Sequence, residues 1–202
     1  RKKKVTVKEL NSNNETKRRN EIMKYMFASD VHGSAYYCRK MLDAYREEKA
    51  ERLVLLGDLL YHGPRNDLPK DYAPKEVISM LNALKREIYA VRGNCEAEVD
   101  QMVLQFPVMA DYCILNLDGR TFYATHGHVY NENNLPPVQD GDILIHGHTH
   151  VLRAEQKEGY ILLNPGSVSI PKEGNPPTYG IYENGVFSIK DFEGNIVKQI
   201  NL

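Results

Sequence analysis

The chain has 202 residues, 42% of them hydrophobic, and a formal net charge of −1. That suffices for one compact domain with a sizeable core, and the charge excludes an overall nucleic-acid-like or membrane-like surface. No apolar run approaches the ~20 residues of a membrane span, and three widely spaced cysteines without a CxxC pair (Cys38, Cys95, Cys113) argue against a disulfide framework. A soluble cytoplasmic protein is the expectation.

Residues 1–22 carry eight Lys/Arg against three Glu, a net of +5, whereas the other 180 residues hold 18 basic and 24 acidic side chains, a net of −6. The first segment reads as a flexible basic extension, or as sequence upstream of a natural start at Met23, and residues 23–202 as a single domain. With no aromatic to stack on bases, the extension makes no clear nucleic-acid arm.

From Met23 to Ser29 an apolar strand leads into Asp30-Val-His-Gly33. Ser34 is placed to cap a helix whose apolar face carries Met41, Leu42 and Tyr45. A second strand, Leu53 to Leu56, ends at Gly57-Asp58, and a loop with Pro64 and Pro69 leads to a helix from about Pro74 to Arg86 with proline in its first turn. A third strand, Ile88 to Val91, ends at Gly93-Asn94-Cys95. After a short helical stretch, strands Tyr112–Leu117 and Thr121–Thr125 flank Asp118-Gly119, a strong hairpin signal. The second of these ends at His126-Gly-His128. Two more apolar strands follow, Ile143–Ile145 ending at His146-Gly-His148-Thr-His150, and Tyr160–Leu163 ending at Asn164-Pro-Gly-Ser167. The tail (Tyr179–Tyr182, Val186–Ile189, Ile196–Ile200) alternates around Asn184-Gly185 and Gly194-Asn195, as an antiparallel meander does. The first half is β-α-β-α-β and the second half mostly β.

Five strand ends carry a carboxylate, an amide or an imidazole beside a glycine: Asp30/His32, Asp58, Asn94, His126/His128 and His148/His150. Singly, Asp30 could cap a helix, Asp58 could serve a turn and Asn94 could occupy a left-handed corner. Turn chemistry does not explain why six of the seven histidines sit on or beside these ends, with His62 in the loop after Asp58. Carboxyl ends of strands in an α/β sheet share one side, where ligands collect. A mixed N/O donor set suits a two-metal centre of Mn, Fe or Zn better than Ca or a structural zinc, with one carboxylate bridging. Two divalent ions, less Asp30, Asp58 and a hydroxide, leave a formal charge of about +1 that attracts a phosphate anion.

In their order these blocks (DxH, GD, GN, GH, GHxH) resemble the calcineurin-like metallophosphoesterases over about Met23 to Leu202. The stretches GDLLYHGPRN, VRGNCEAEVDQ, HGHTH and NPGSVSIPK are most similar to the bacterial YfcE-type phosphodiesterases. The resemblance implies an α/β fold of two mixed β-sheets packed as a sandwich flanked by helices. It also implies two divalent metal ions, most often Mn²⁺ with Zn²⁺, Fe²⁺ or Ni²⁺ as alternatives. Asp30, His32, Asp58 and His150 would surround one, and Asp58, Asn94, His126 and His148 the other, with Asp58 bridging. The implied activity is hydrolysis of a small phosphodiester by a hydroxide held between the metals. The alternatives are a phosphomonoesterase on the same site and a catalytically silent protein-binding module of the same fold.

The departure is Cys95-Glu96, where many members have His-Asp, the histidine being cast as general acid or phosphate contact. A thiol is a poorer proton donor than imidazole at neutral pH, and Cys95 also reads as a residue that only fills space. The candidate catalytic residues are therefore Asn94, Cys95, His126 and Arg65, the last because guanidinium matches phosphate geometry. His62 and His128 are candidates for supporting or phosphate-contacting roles, and Ser167 reads as part of a rigid turn rather than a nucleophile. Tyrosines such as Tyr130 and Tyr179 are equally compatible with a homo-oligomer interface and with the core.

Overall fold

A computed structural model describes residues 23–202, so the expectation for the basic segment lies outside the described residues. The first strand, β1 (Lys24–Ala28), shows how the layers arise. Alternate side chains of a strand point to opposite faces. Met26 and Ala28 pack towards the helices, and Phe27 enters the space between the two sheets. The next strand, β2 (Arg52–Leu55), repeats the division, with Leu53 and Leu55 on the helix side and Val54 between the sheets.

Between them runs α1 (Ala35–Glu47), capped as expected by Ser34, whose hydroxyl accepts from the Tyr37 N–H at 3.2 Å. Its Cys38, Met41, Leu42 and Tyr45 are buried against the sheet. The second helix, α2 (Pro74–Ala83), stops three residues before Arg86. Bonds of the i to i−3 kind (Leu84 N–H to Leu81 O, Lys85 N–H to Asn82 O) tighten the chain there as it turns into β3 (Ile88–Ala90). A short α3 (Glu98–Val103) buries no residue.

The second half supplies β4 (Tyr112–Leu117), β5 (Arg120–Thr125), β6 (Asp142–Ile145), β7 (Arg153–Gln156), β8 (Tyr160–Asn164), β9 (Thr178–Glu183), β10 (Val186–Asp191) and β11 (Ile196–Asn201). Two mixed sheets result, ordered β11-β10-β9-β1-β2-β3 and β4-β5-β6-β8-β7. The tail is the expected antiparallel meander, and it completes the first sheet because β9 pairs antiparallel with β1. The sequence reading misses β7: it is an edge strand with only Ala154 buried, so no apolar alternation announces it.

Phe27, Phe122, Phe187 and Tyr182 form the centre of the sandwich, with Phe27 stacked on Phe122 at 6.0 Å and edge-on to Phe187 at 5.9 Å. Such aromatic pairs add about 0.5–1.5 kcal/mol each beyond the area they bury. The sandwich is the expected one, but α1 and α2 cover the outer face of the first sheet alone. On the outer face of the second, Tyr123 and Val138 pack on Leu144, Tyr160 and Leu162. Tyr179 belongs to the core. Among the described residues no helix is long and apolar enough to cross a membrane.

Candidate metal centre

Parallel pairing aligns the carboxyl ends of β1, β2 and β3, and of β5 and β6, and the loops leaving them carry the polar residues. Asp30, His32, Asp58, His148 and His150 all adopt left-handed backbone angles, with φ between 48° and 64°. For residues other than glycine this costs of order 1–3 kcal/mol each and persists where the surroundings over-determine it. Cross-loop bonds do so here: Asp30 N–H to Gly57 O at 3.1 Å, His32 N–H to Asp58 O at 2.9 Å, and Gly147 N–H to His126 O at 2.9 Å. Ser167 and Ser169 donate their hydroxyls to the Asp30 carbonyl at 2.9 and 3.0 Å, so Ser167 is a brace, as its turn suggests. Two glycines permit the close approach. A Cβ on Gly93 would lie 2.1 Å from Asp58 Oδ1, and one on Gly147 1.9 Å from Ser29 Oγ.

Two groups of donor atoms face one another across Asp58. On one side His32 Nε2 lies 3.4 Å from His150 Nε2 and 3.7 Å from Asp58 Oδ2, and His150 Nε2 lies 3.2 Å from Asp30 Oδ1. On the other, His126 Nε2 lies 3.0 Å from Asn94 Oδ1, 3.2 Å from His148 Nδ1 and 3.5 Å from Asp58 Oδ1. His32, His126 and His150 each direct Nδ1 at a main-chain carbonyl, of Tyr61, Leu56 and Ile170, at 2.8, 2.7 and 2.8 Å. A carbonyl can only accept, so Nδ1 carries a proton in each ring and Nε2 is the nitrogen that faces the centre, presenting a lone pair there whenever the ring is neutral. Lone pairs of His32 and His150 at 3.4 Å repel unless a proton or a cation lies between them. Asp30 Oδ1 is buried without a hydrogen-bond partner. The donor set therefore fits a divalent cation, and His32 and Asp58 also come within ligand range of the Cys95 sulfur.

Burial alone would raise the Asp30 carboxyl, but His150 and His32 beside it hold it well below the usual carboxylate range. Asp58 is likewise lowered, against burial, by His126. Burial opposes protonation of His126, yet Asp58 and Asp30 together push the imidazole up to about 9. Burial and the neighbouring His126 charge pull His148 down to about 4. One imidazole thus competes for a proton and the other stands neutral.

The centre opens into a cleft of about 440 Å³, lined among others by His32, Asp58, Arg65, Asn94, Cys95, His148, His150 and Lys172. That is the size of a small-molecule site. Every predicted ligand and catalytic residue is accordingly at the centre or in the cleft wall. Arg65 forms no ion pair among the described residues. His128 stands beside the second group, its ring 5.3 Å from His126. His62 is not among the cleft-lining residues and packs edge-on to Tyr61 and Tyr72, at 4.8 and 5.2 Å.

Sequence reasoning missed Glu96 and Lys172. The half-buried Glu96 carboxylate accepts from the N–H groups of Asp58, Leu59 and Gly93 at 2.8, 2.7 and 2.5 Å, clasping the β2 and β3 loops together. Its place in the GNCE block was visible, but an acid that binds only main-chain groups leaves no pattern to read. Lys172 lies in an exposed loop, tied to the centre by its N–H to the His150 carbonyl at 3.1 Å.

Residues 23–185 match the calcineurin-like phosphoesterase superfamily domain. The chain is 48% identical over 168 residues to phosphodiesterase YfcE of Escherichia coli strain K12, covering 83% of this chain and 91% of that protein. It is 25% identical over 169 residues to phosphodiesterase MJ0936 of Methanocaldococcus jannaschii, covering 80% of this chain and 93% of that one. The solved structure of Yfce, a phosphoesterase from E. coli, superposes with a TM-score of 0.87 at 46% identity, over 89% of this chain and 99% of that chain.

Proposed function

This chain belongs to the calcineurin-like phosphoesterase superfamily, and from that premise we propose that it is a divalent-metal-dependent phosphodiesterase acting on a small phosphodiester. The observation that carries the proposal is the Asp58 carboxylate, one oxygen turned to the His32 group and the other to the His126 group, with imidazole lone pairs converging on both. Asp30, His32, Asp58 and His150 would hold one cation, and Asp58, Asn94, His126 and His148 a second, Mn²⁺ being the favoured ion. When bound, such ions supply Lewis-acid stabilisation of the phosphoryl oxygens and a nucleophile drawn from water at neutral pH.

The chain's own residues do the remaining work. The main-chain carbonyls of Tyr61, Leu56 and Ile170 fix three imidazole tautomers, so no ligand reorientation is needed during turnover. Glu96 holds the Asp58 and Asn94 loops in register. Arg65 offers a planar pair of donors to a non-bridging phosphate oxygen at the cleft wall, and Lys172 adds a cationic charge there. The similarity to curated phosphodiesterases supports the diester as substrate.

The test compares kcat/KM for bis(p-nitrophenyl) phosphate and p-nitrophenyl phosphate on the Mn²⁺-loaded protein. A ratio above one is expected. A ratio below one would move the substrate to a monoester. No turnover of either with Mn²⁺, Zn²⁺, Fe²⁺ or Ni²⁺ would favour the silent binding module.

A further inference from the structure

We propose that the phosphodiester cleaved here carries a second anionic group, a phosphate monoester on the ester arm retained after cleavage, and that Lys172 selects it. The proposal rests on the metal-dependent phosphodiesterase reading of the site.

Among the described residues that line the cleft, Arg65 and Lys172 are the Lys/Arg side chains and Asp58 is the only carboxylate. Arg92 and Arg153 elsewhere pair with Asp111 and Glu132 at 2.7 and 3.1 Å, but neither Arg65 nor Lys172 forms an ion pair among the described residues. Both are held out on closed turns. Arg65 sits in Gly63-Pro64-Arg65-Asn66, closed by the Asn66 N–H to Gly63 O at 3.4 Å and by the Asn66 side-chain amide donating to His62 O at 2.8 Å. Lys172 opens the turn Lys172-Glu173-Gly174-Asn175, whose central residues have φ of 58° and 72°. Asn175 closes it twice on the Lys172 carbonyl, through its N–H at 3.2 Å and its side-chain amide at 2.9 Å. Pro171, Pro176 and Pro177 stiffen the flanks. Each turn is tied to one histidine of the same donor group. The Tyr61 carbonyl accepts from His32, and the Ile170 carbonyl and the Lys172 N–H both bond His150. The two cations therefore stand on the His32–His150 side of the centre, while Asn94 and Cys95 give the cleft a wall without charge.

Charge decides what such a cleft takes. The centre's formal charge of about +1 is met by one phosphodiester monoanion. Arg65 and Lys172 raise the total to about +3, roughly two charges more than a plain diester supplies. A phosphate monoester adds about −1.5 to −2 near neutral pH, so a diester with a phosphate-terminated arm closes the difference and a carboxylate arm closes about half of it. An aromatic arm finds little to stack on: apart from histidine, no described residue of the wall is aromatic. The arm held by Lys172 stays, and the arm lying towards Asn94 and Cys95 departs. The water oxygen is retained on phosphorus and the P–O bond to the departing alcohol breaks. One water proton goes to that alcohol and the other to solvent, and the product is a bisphosphate.

The test uses two p-nitrophenyl diesters that differ only in the second arm, propyl or 3-phosphonooxypropyl, on the Mn²⁺-loaded full-length protein. For p-nitrophenol release, kcat/KM should be at least about tenfold higher with the phosphorylated arm, the size of one charged hydrogen bond. Lys172→Ala should bring that ratio near one, and Lys172→Arg should keep most of it. Lys198→Ala, on β11 and outside the cleft wall, should leave the ratio unchanged. Calorimetric titration of the two products should show the same order without turnover. Propane-1,3-diyl bisphosphate should bind at least about tenfold tighter than propyl phosphate, and Lys172→Ala should abolish the difference. Turnover of both diesters at a ratio near or below one, a ratio that survives Lys172→Ala, or equal binding of the two products would overturn the second-anion site and leave the phosphodiesterase reading standing. Release of inorganic phosphate in place of p-nitrophenol, or no turnover of either diester, would overturn both.

Discussion

Filling the centre with a divalent ion should expel a proton from His126. Its Nε2 faces Asn94, His148 and Asp58, and the two carboxylates push the imidazole up to about 9. At pH 7 that ring is almost wholly protonated, and the lone pair a cation needs is occupied. Freeing it across about two pH units costs roughly 2.7 kcal/mol, or about a hundredfold in apparent affinity between pH 9 and pH 7. His148, pulled down to about 4, adds no such cost, whereas His32, also raised, adds to it. Isothermal titration of Mn²⁺ into stripped protein, in two buffers of different ionisation enthalpy, counts the protons. At least one should be released at pH 7, with affinity climbing about tenfold per pH unit and levelling above pH 9; His126→Asn should flatten the slope. Equal affinity at pH 7 and pH 9 without proton release would refute the reasoning.

The same shift acts on the stability of the stripped protein with a definite sign. A raised imidazole stabilises fully below its ordinary value near 6.5, and the contribution, about 3 kcal/mol, is lost as pH rises through about 9. Asp30 and Asp58, both lowered, contribute above the ordinary carboxylate range and lose it only in acid. Urea unfolding should therefore give lower stability at pH 9.5 than at pH 6, and no difference there would contradict the coupling. Glu96→Gln leaves one acceptor oxygen for three main-chain donors, a loss of roughly 2–4 kcal/mol readable by thermal melting; a loss under about 0.5 kcal/mol would dismiss the clasp. Arg65→Ala should lower kcat/KM for a diester about tenfold or more, as loss of a charged hydrogen bond does. Aryl diesters should be cleaved faster than alkyl ones, and Cys95→His should narrow the gap; an unchanged ratio in that variant would mean that proton donation at this position does not limit the alkyl substrates.

What was legible in the sequence is what leaves a periodic or punctuated trace. The apolar runs of β1, β2, β6 and β8 end in glycine beside acid, amide or imidazole, and those ends do gather at one edge. The left-handed angles at Asp30, His32, Asp58, His148 and His150 were not legible, because none of them is a glycine. Nor was β7, whose polar residues pair at an edge through main-chain bonds that any sequence supplies. Glu96 was hidden for the same reason: two of its three partners, the main-chain N–H groups of Asp58 and Leu59, lie 38 and 37 residues away in the chain. Whether β9 would join β1 also depends on long-range pairing that local pattern does not encode.

The most direct test of the central claim is hydrolysis of bis(p-nitrophenyl) phosphate by protein stripped of metal with a chelator and then titrated with Mn²⁺. The account predicts no turnover after stripping, turnover restored by the added ion, and no restoration in Asp58→Asn, whose amide cannot serve both donor groups as a carboxylate does. Turnover that persists in the stripped protein, or full restoration in Asp58→Asn, would contradict it.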